Sequence, residues 1–168
     1  MLSDREIKSL VQNKGLSITP FSHENLGCAS VDLALGNKFV RYTGVIDTKS
    51  SRISYETFTA AELLLEPGQF VLGVTKERIS IPNGYYGFVE TRGNFARAGI
   101  SVTCDDGHID PGTSGLITFE IKNNNNVAVK LYPGDLICQL FLFRLSSNCL
   151  KVYNGKYRGQ NKPTVFKR

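Results

Sequence analysis

Apolar residues recur at helical spacing near the start of this chain, at Ile7, Leu10 and Val11, directly behind Ser3-Asp4-Arg5-Glu6. The S-x-x-E spacing is that of a capping box, in which a hydroxyl residue and a carboxylate three positions on satisfy N–H groups at a helix start. It predicts one short amphipathic helix. Beyond it the pattern changes to strand-like runs at residues 29–35, 62–65, 70–75, 85–91, 116–121, 127–131 and 136–145, each bounded by Gly, Pro or Asn. The body therefore reads as all-β.

Turn chemistry supports that reading. Pro67-Gly68, Pro111-Gly112 and Pro133-Gly134 each stand just before an apolar strand, where Pro fixes φ and Gly accepts positive φ, and they predict tight chain reversals. Asn123 to Asn126 predicts a loop tip between two strands. No repeat and no linker divides the chain, and 168 residues are enough for a single domain that buries about 70% of its unfolded surface. One unit over 1–168 is expected, with 153–168 as a basic tail.

Composition excludes some classes. Apolar residues make up 41% and charged residues 21%, with no long apolar run and no basic leader before a small-residue cleavage site, so neither a membrane span nor export is expected. Cys28, Cys104, Cys138 and Cys149 are spaced neither as a close-paired metal site nor as a disulfide framework, which favours cytoplasmic thiols. The net charge of +5 is local: seven basic residues and no acid lie between Leu136 and Arg168, against 13 basic and 15 acidic residues before them. A positive tail on a near-neutral body suits a small anionic ligand better than nucleic acid, whose binders carry basic residues along an aromatic-bearing groove.

Three segments carry candidate chemistry. Arg92-Gly93-Asn94-Phe95-Ala96-Arg97 interrupts the strand pattern with two arginines in a helix-like turn, where guanidinium forks and exposed N–H groups suit phosphate. Cys104 to Gly112 holds Asp105, Asp106, His108 and Asp110, and the next strand holds Glu120. Alternation puts Ile117, Phe119 and Ile121 on one face and Leu116, Thr118 and Glu120 on the other, so Glu120 points away from the most apolar face. Taken alone, it is an ordinary solvent-facing glutamate. Tyr153, Lys156, Tyr157 and Gln160 bring aromatic faces, a cation and an amide to the tail, a combination able to stack on a base and touch phosphate, and equally the composition of a solvated basic terminus.

Taken together, these segments resemble the dCTP deaminase branch of the dUTPase superfamily over nearly the whole chain. The resemblance rests on Leu2-Ser3-Asp4-Arg5-Glu6-Ile7, Ala29 to Phe39, the Arg92 to Arg97 turn and Ile109-Asp110-Pro111-Gly112. It continues through Gly115 to Ile121, Pro133-Gly134 with Ile137-Cys138-Gln139-Leu140, and Gly155 to Gln160. It implies a distorted, jelly-roll-like β-barrel, a homotrimer with sites at subunit interfaces, and a deoxycytidine or deoxyuridine triphosphate carrying Mg²⁺ on its phosphates. It also implies Glu120 as general base, Arg97 as its support and Asp110 at the sugar and water site. The turn of Arg92, Gly93, Asn94, Phe95, Ala96 and Arg97 then contacts phosphate, and Tyr153, Lys156, Tyr157 and Gln160 close over base and phosphates.

Hydrolytic deamination needs a water activated for attack on C4 of cytosine, and the zinc deaminases lower its pKa with a metal. Their H-x-E and P-C-x-x-C signatures are absent here, since Ile109 and Asp110 follow His108 and no two cysteines lie three apart. A positioned carboxylate is the alternative, and Glu120 is the candidate.

The sequence also departs from the family pattern. Gly93 stands where a hydroxyl residue usually follows the first arginine, and Asp106 stands where a small residue usually lies close to the base pocket. An added carboxylate there changes which bases fit. The leading expectation is a dCTP deaminase releasing dUTP and ammonia, with 5-substituted cytosine also open. The alternatives are a dUTP diphosphatase, a bifunctional enzyme using both Asp110 and Glu120, and a non-catalytic nucleotide-binding regulator.

Overall fold

In the computed structural model, which describes residues 1–13, 15–50, 52–104 and 106–168, the opening helix α1 spans Asp4–Gln12. Its capping box forms as expected, with the Ser3 N–H donating to the Glu6 carboxylate at 3.1 Å. The Leu2 N–H donates to the carbonyl of Leu142 at 2.7 Å and fully buried Ile7 enters the core, which fastens the helix to the barrel.

Twelve strands follow among the described residues. They are β1 (Ser17–Thr19), β2 (Ser30–Ala34), β3 (Lys38–Tyr42), β4 (Tyr55–Thr59), β5 (Leu63–Leu65) and β6 (Phe70–Ser80), then β7 (Tyr85–Thr91), β8 (Ile100–Ser101), β9 (His108–Ile109), β10 (Ser114–Asn123), β11 (Val129–Leu131) and β12 (Leu136–Arg144). A five-residue helix, α2 (Gly93–Arg97), separates β7 from β8. One sheet runs β4-β3-β6-β10-β8 with β1 also on β6, a second runs β2-β12-β7-β9, and β5 pairs with β11. Every named pairing is antiparallel. The two larger sheets enclose one core that includes Leu33, Leu35, Phe39, Ile79, Phe119, Ile121 and Leu140.

The seven expected runs all contain strands, and β7 matches its run to the residue. Strand β6 extends past residue 75, where the apolar run stops at Lys76-Glu77-Arg78. Glu77 is nonetheless buried, and its carboxylate accepts the Ala34 N–H at 3.0 Å, tying β6 to β2. Removal from water raises its pKa. The β6–β10 register shifts between Leu116 and Thr118, and Thr75 Oγ1 fills the gap by accepting the Ile117 N–H at 2.9 Å. Beyond the shift, Thr118 pairs with Val74 and Glu120 with Leu72.

Asn123 to Asn126 does more than mark a turn. Asn123 is fully buried, and its amide donates to the carbonyls of Leu65 at 2.8 Å and Val127 at 2.9 Å while its oxygen accepts the Asn125 N–H. Asn125 in turn donates to the carbonyl of Ala98 at 3.0 Å and so supports the end of α2. Asn123→Ala leaves three polar groups without their partner, and thermal unfolding is expected to show a loss of about 2–4 kcal/mol.

Candidate active site

Strand β10 alternates as the sequence predicts, with Ile117, Phe119 and Ile121 buried inward and Thr118 and Glu120 half-buried on the other face. That second face is only partly open to solvent. It forms part of the wall of a cavity of about 400 Å³, shared with Asp106, His108 and Asp110 around β9 and with Tyr153, Tyr157 and Gln160 of the tail. Leu72, Phe70 and Tyr42 supply an apolar side, where the Tyr42 and Phe70 rings stack with centroids 6.5 Å apart. Burial first, and then the negative charge of Asp106, push the Glu120 carboxyl from 4.5 to about 7. At neutral pH it is therefore poised to accept and return a proton.

The tail is docked by its backbone, not solvated. The Tyr153 N–H donates to Pro111 O at 2.7 Å, the Gly159 N–H to Ser114 O at 2.6 Å, and the Leu116 N–H to Gln160 O at 2.9 Å. The Gln160 amide donates to Leu116 O at 2.7 Å, and the Thr164 N–H donates to Thr118 Oγ1 at 3.2 Å. Farther on, the Phe166 N–H donates to the Tyr42 hydroxyl at 2.9 Å, and Phe166 lines the cavity. Lys156 is exposed and donates to the Lys167 carbonyl; it does not line the cavity.

Gly115 permits this docking. Its φ is +133°, and a Cβ there would lie 2.7 Å from the Gln160 carbonyl oxygen. Gly115→Ala is therefore expected to lift the tail, which limited trypsin digestion reads as faster cleavage after Lys156 and Arg158 with the β-sheet circular dichroism signal retained.

The arginine turn lies elsewhere on the chain. Arg92 pairs with Asp32 at 3.0 Å, and Gln139 donates to the same carboxylate at 3.0 Å and to Ser30 Oγ at 3.2 Å. Phe95 is half-buried against the core, while Gly93, Asn94, Ala96 and Arg97 are exposed. A Cβ on Gly93 would lie 3.0 Å from Nη1 of Arg97, so the guanidinium folds back over Gly93.

One chain thus brings Asp106, Asp110, Glu120, Tyr153, Tyr157 and Gln160 to one cavity and leaves Arg92 to Arg97 outside it. Arg97 does not line this cavity: α2 leads from β7 of one sheet into β8, the neighbour of β10 in the other, and the Arg97 side chain is exposed outside the lining. Asp105 lies outside the described residues. Sequence reasoning did not assign roles to Asp32 and Gln139, which hold Arg92, or to Thr118, which anchors the tail. The alternation that singled out Glu120 also carried Thr118, while Asp32 and Gln139 lie on paired strands far apart along the chain.

The dCTP deaminase-like family model matches residues 1–145. The chain belongs to this family. It is 40% identical to the dUMP-forming dCTP deaminase of Coprothermobacter proteolyticus, covering 97% of this chain and 93% of that protein. It is 38% identical to the enzyme of the same name from Aquifex aeolicus, covering 95% and 90%. Among solved structures, the 2′-deoxycytidine 5′-triphosphate deaminase of Agrobacterium tumefaciens superposes with a TM-score of 0.66 at 18% identity over 84% of this chain; the match spans 46% of that longer chain. A dUTPase of phage phi11 of S. aureus, described with a structural Mg(II) ion, gives 0.55 at 18% identity over 83% of this chain and 97% of its own. Both likenesses bear on the fold, and they bear out the dUTPase-like β architecture of this dCTP deaminase-like chain.

Proposed function

We propose that this chain hydrolyses dCTP to dUMP, ammonia and pyrophosphate, consuming two waters. Glu120 carries the reading: a half-buried carboxyl held near neutrality, facing a cavity closed by the tail. In the first hydrolysis Glu120 takes a proton from water as the oxygen bonds to C4 of cytosine. It then returns a proton to the departing amino group, and the C4–N bond breaks to release ammonia. In the second, Asp110 orients a water for attack on the α-phosphorus, and the bond to the bridging oxygen breaks to release pyrophosphate. The dUMP-forming relatives support this second step and sharpen the product from dUTP to dUMP.

Among the described residues no three His, Cys, Asp or Glu side chains converge as a metal-binding group. Mg²⁺ is usually held by substrate phosphates with one or two carboxylates, so it arrives with the nucleotide and neutralises phosphate charge. No helix among the described residues is long and apolar enough to cross a membrane. Free thiols at Cys28, Cys138 and Cys149 fit a cytoplasmic site of action.

The reading includes a homotrimer. No lysine or arginine lines the Glu120 cavity among the described residues, whereas a triphosphate needs cations, and the Arg92 to Arg97 turn of a neighbouring subunit supplies them. Light scattering is expected to give three times the 18.6 kDa chain mass; a fully active monomer contradicts it. An assay with dCTP, following ammonia and pyrophosphate separately, tests the activity, and release of ammonia alone removes the second step.

A further inference from the structure

Three carboxylates, Asp106, Asp110 and Glu120, face one cavity with no lysine or arginine among its described lining residues. Asp106 is exposed at its mouth, and among the described residues its side chain accepts only a long hydrogen bond, 3.4 Å, from the His108 N–H to Oδ1. No ion pair among the described residues holds it. A carboxylate is an acceptor only, so Asp106 has capacity left for a donor brought by a ligand.

If Glu120 serves C4 of the base, the group bonded to C4 lies beside Glu120. Asp106 stands close enough for its charge to act on the same carboxyl. We propose that Asp106 selects the base by its C4 substituent, accepting a hydrogen bond from the 4-amino group of cytosine and repelling the 4-keto oxygen of uracil. This rests on the deaminase reading above and goes further, since it names the residue that separates substrate from deaminated product. The discrimination is asymmetric. An amino group offers hydrogens to an anion, whereas a keto oxygen presents a second acceptor and leaves the carboxylate desolvated without a partner.

A second consequence separates this role from simple packing. Asp106 opposes ionisation of Glu120, so its removal lowers the pH at which Glu120 becomes a base. The other titratable groups at the cavity are His108 and Asp110 around β9, Tyr153 and Tyr157 of the tail and Tyr42 of β3, with Lys122 next on β10 itself. The acid limb is also recorded in His108→Gln, which separates any part played by the imidazole from that of Glu120.

The test compares wild type, Asp106→Asn and Asp106→Ala, each checked for folding by thermal melting. Ammonia release from dCTP and pyrophosphate release from dUTP give kcat/KM for each nucleotide. The preference for dCTP over dUTP is expected to fall by about 10- to 100-fold in both variants, and the acid limb of the dCTP profile is expected to move to lower pH. An unchanged ratio in the isosteric Asn variant overturns the assignment while the deaminase reading stands. If wild type releases no ammonia from dCTP, that reading fails and this inference fails with it.

Discussion

Replacing Glu120 with glutamine is expected to lower ammonia release from dCTP by at least about 10²-fold, because the amide keeps the shape of the side chain but cannot accept the water's proton. Nucleotide binding is expected to persist, since Glu120 is not assigned to the phosphates. The pH dependence has a defined sign. Protonated Glu120 cannot act as a base, so wild-type activity falls as pH drops below about 7, the value to which burial and then Asp106 push the carboxyl. Stability runs the other way: the folded protein holds this proton more tightly than the unfolded chain. The contribution is present below the ordinary value of 4.5 and is lost as pH rises from there to about 7. Glu120→Gln removes the cost of ionising a half-buried group, so at pH 8 the variant is expected to melt no lower than wild type. Wild-type ammonia release by Glu120→Gln removes the assignment of the base.

Removing residues 153–168 is expected to weaken nucleotide affinity by at least about 10²-fold. Base stacking is worth roughly 1–3 kcal/mol and hydrogen bonds to charged groups roughly 1.5–3 kcal/mol each. The excised residues include Tyr153, Tyr157, Gln160 and Phe166 from the cavity lining. The sheets are expected to remain, because the strands end at Arg144 and the core cluster contains no residue of the tail. Isothermal titration with a non-hydrolysable dCTP analogue reads the affinity, and circular dichroism reads the fold. Unchanged affinity would mean that the docked tail covers the cavity without touching the nucleotide.

The two experiments probe different parts of one design. Glu120 comes from the rigid middle of β10, whereas the tail closes the cavity through hydrogen bonds to the Pro111–Leu116 segment and Thr118. A chemical group on a strand and a binding group on a detachable segment let turnover and capture be changed separately.

Much of this was legible in the sequence because it depends on neighbours along the chain. The capping box, the seven apolar runs, the turn glycines and the alternation that turns Glu120 away from Phe119 are all local patterns, and each appears in the structure. The order of motifs also placed the chain in its family. What escaped the sequence depends on partners far away. Lys38 to Tyr42 and Tyr55 to Thr59 are too interrupted by polar residues to read as strands, yet they pair with each other, with Phe39 and Val40 buried and β3 also joined to β6. Lys76-Glu77-Arg78 looks like a strand end, but β1 and β10 continue the ladder and Glu77 finds the Ala34 N–H. The sequence determined which face Glu120 occupies. Only the tertiary structure decided that this face is covered, because Asp106 and the tail reach it from elsewhere in the chain, and proximity and loss of water set the proton affinity of a carboxylate.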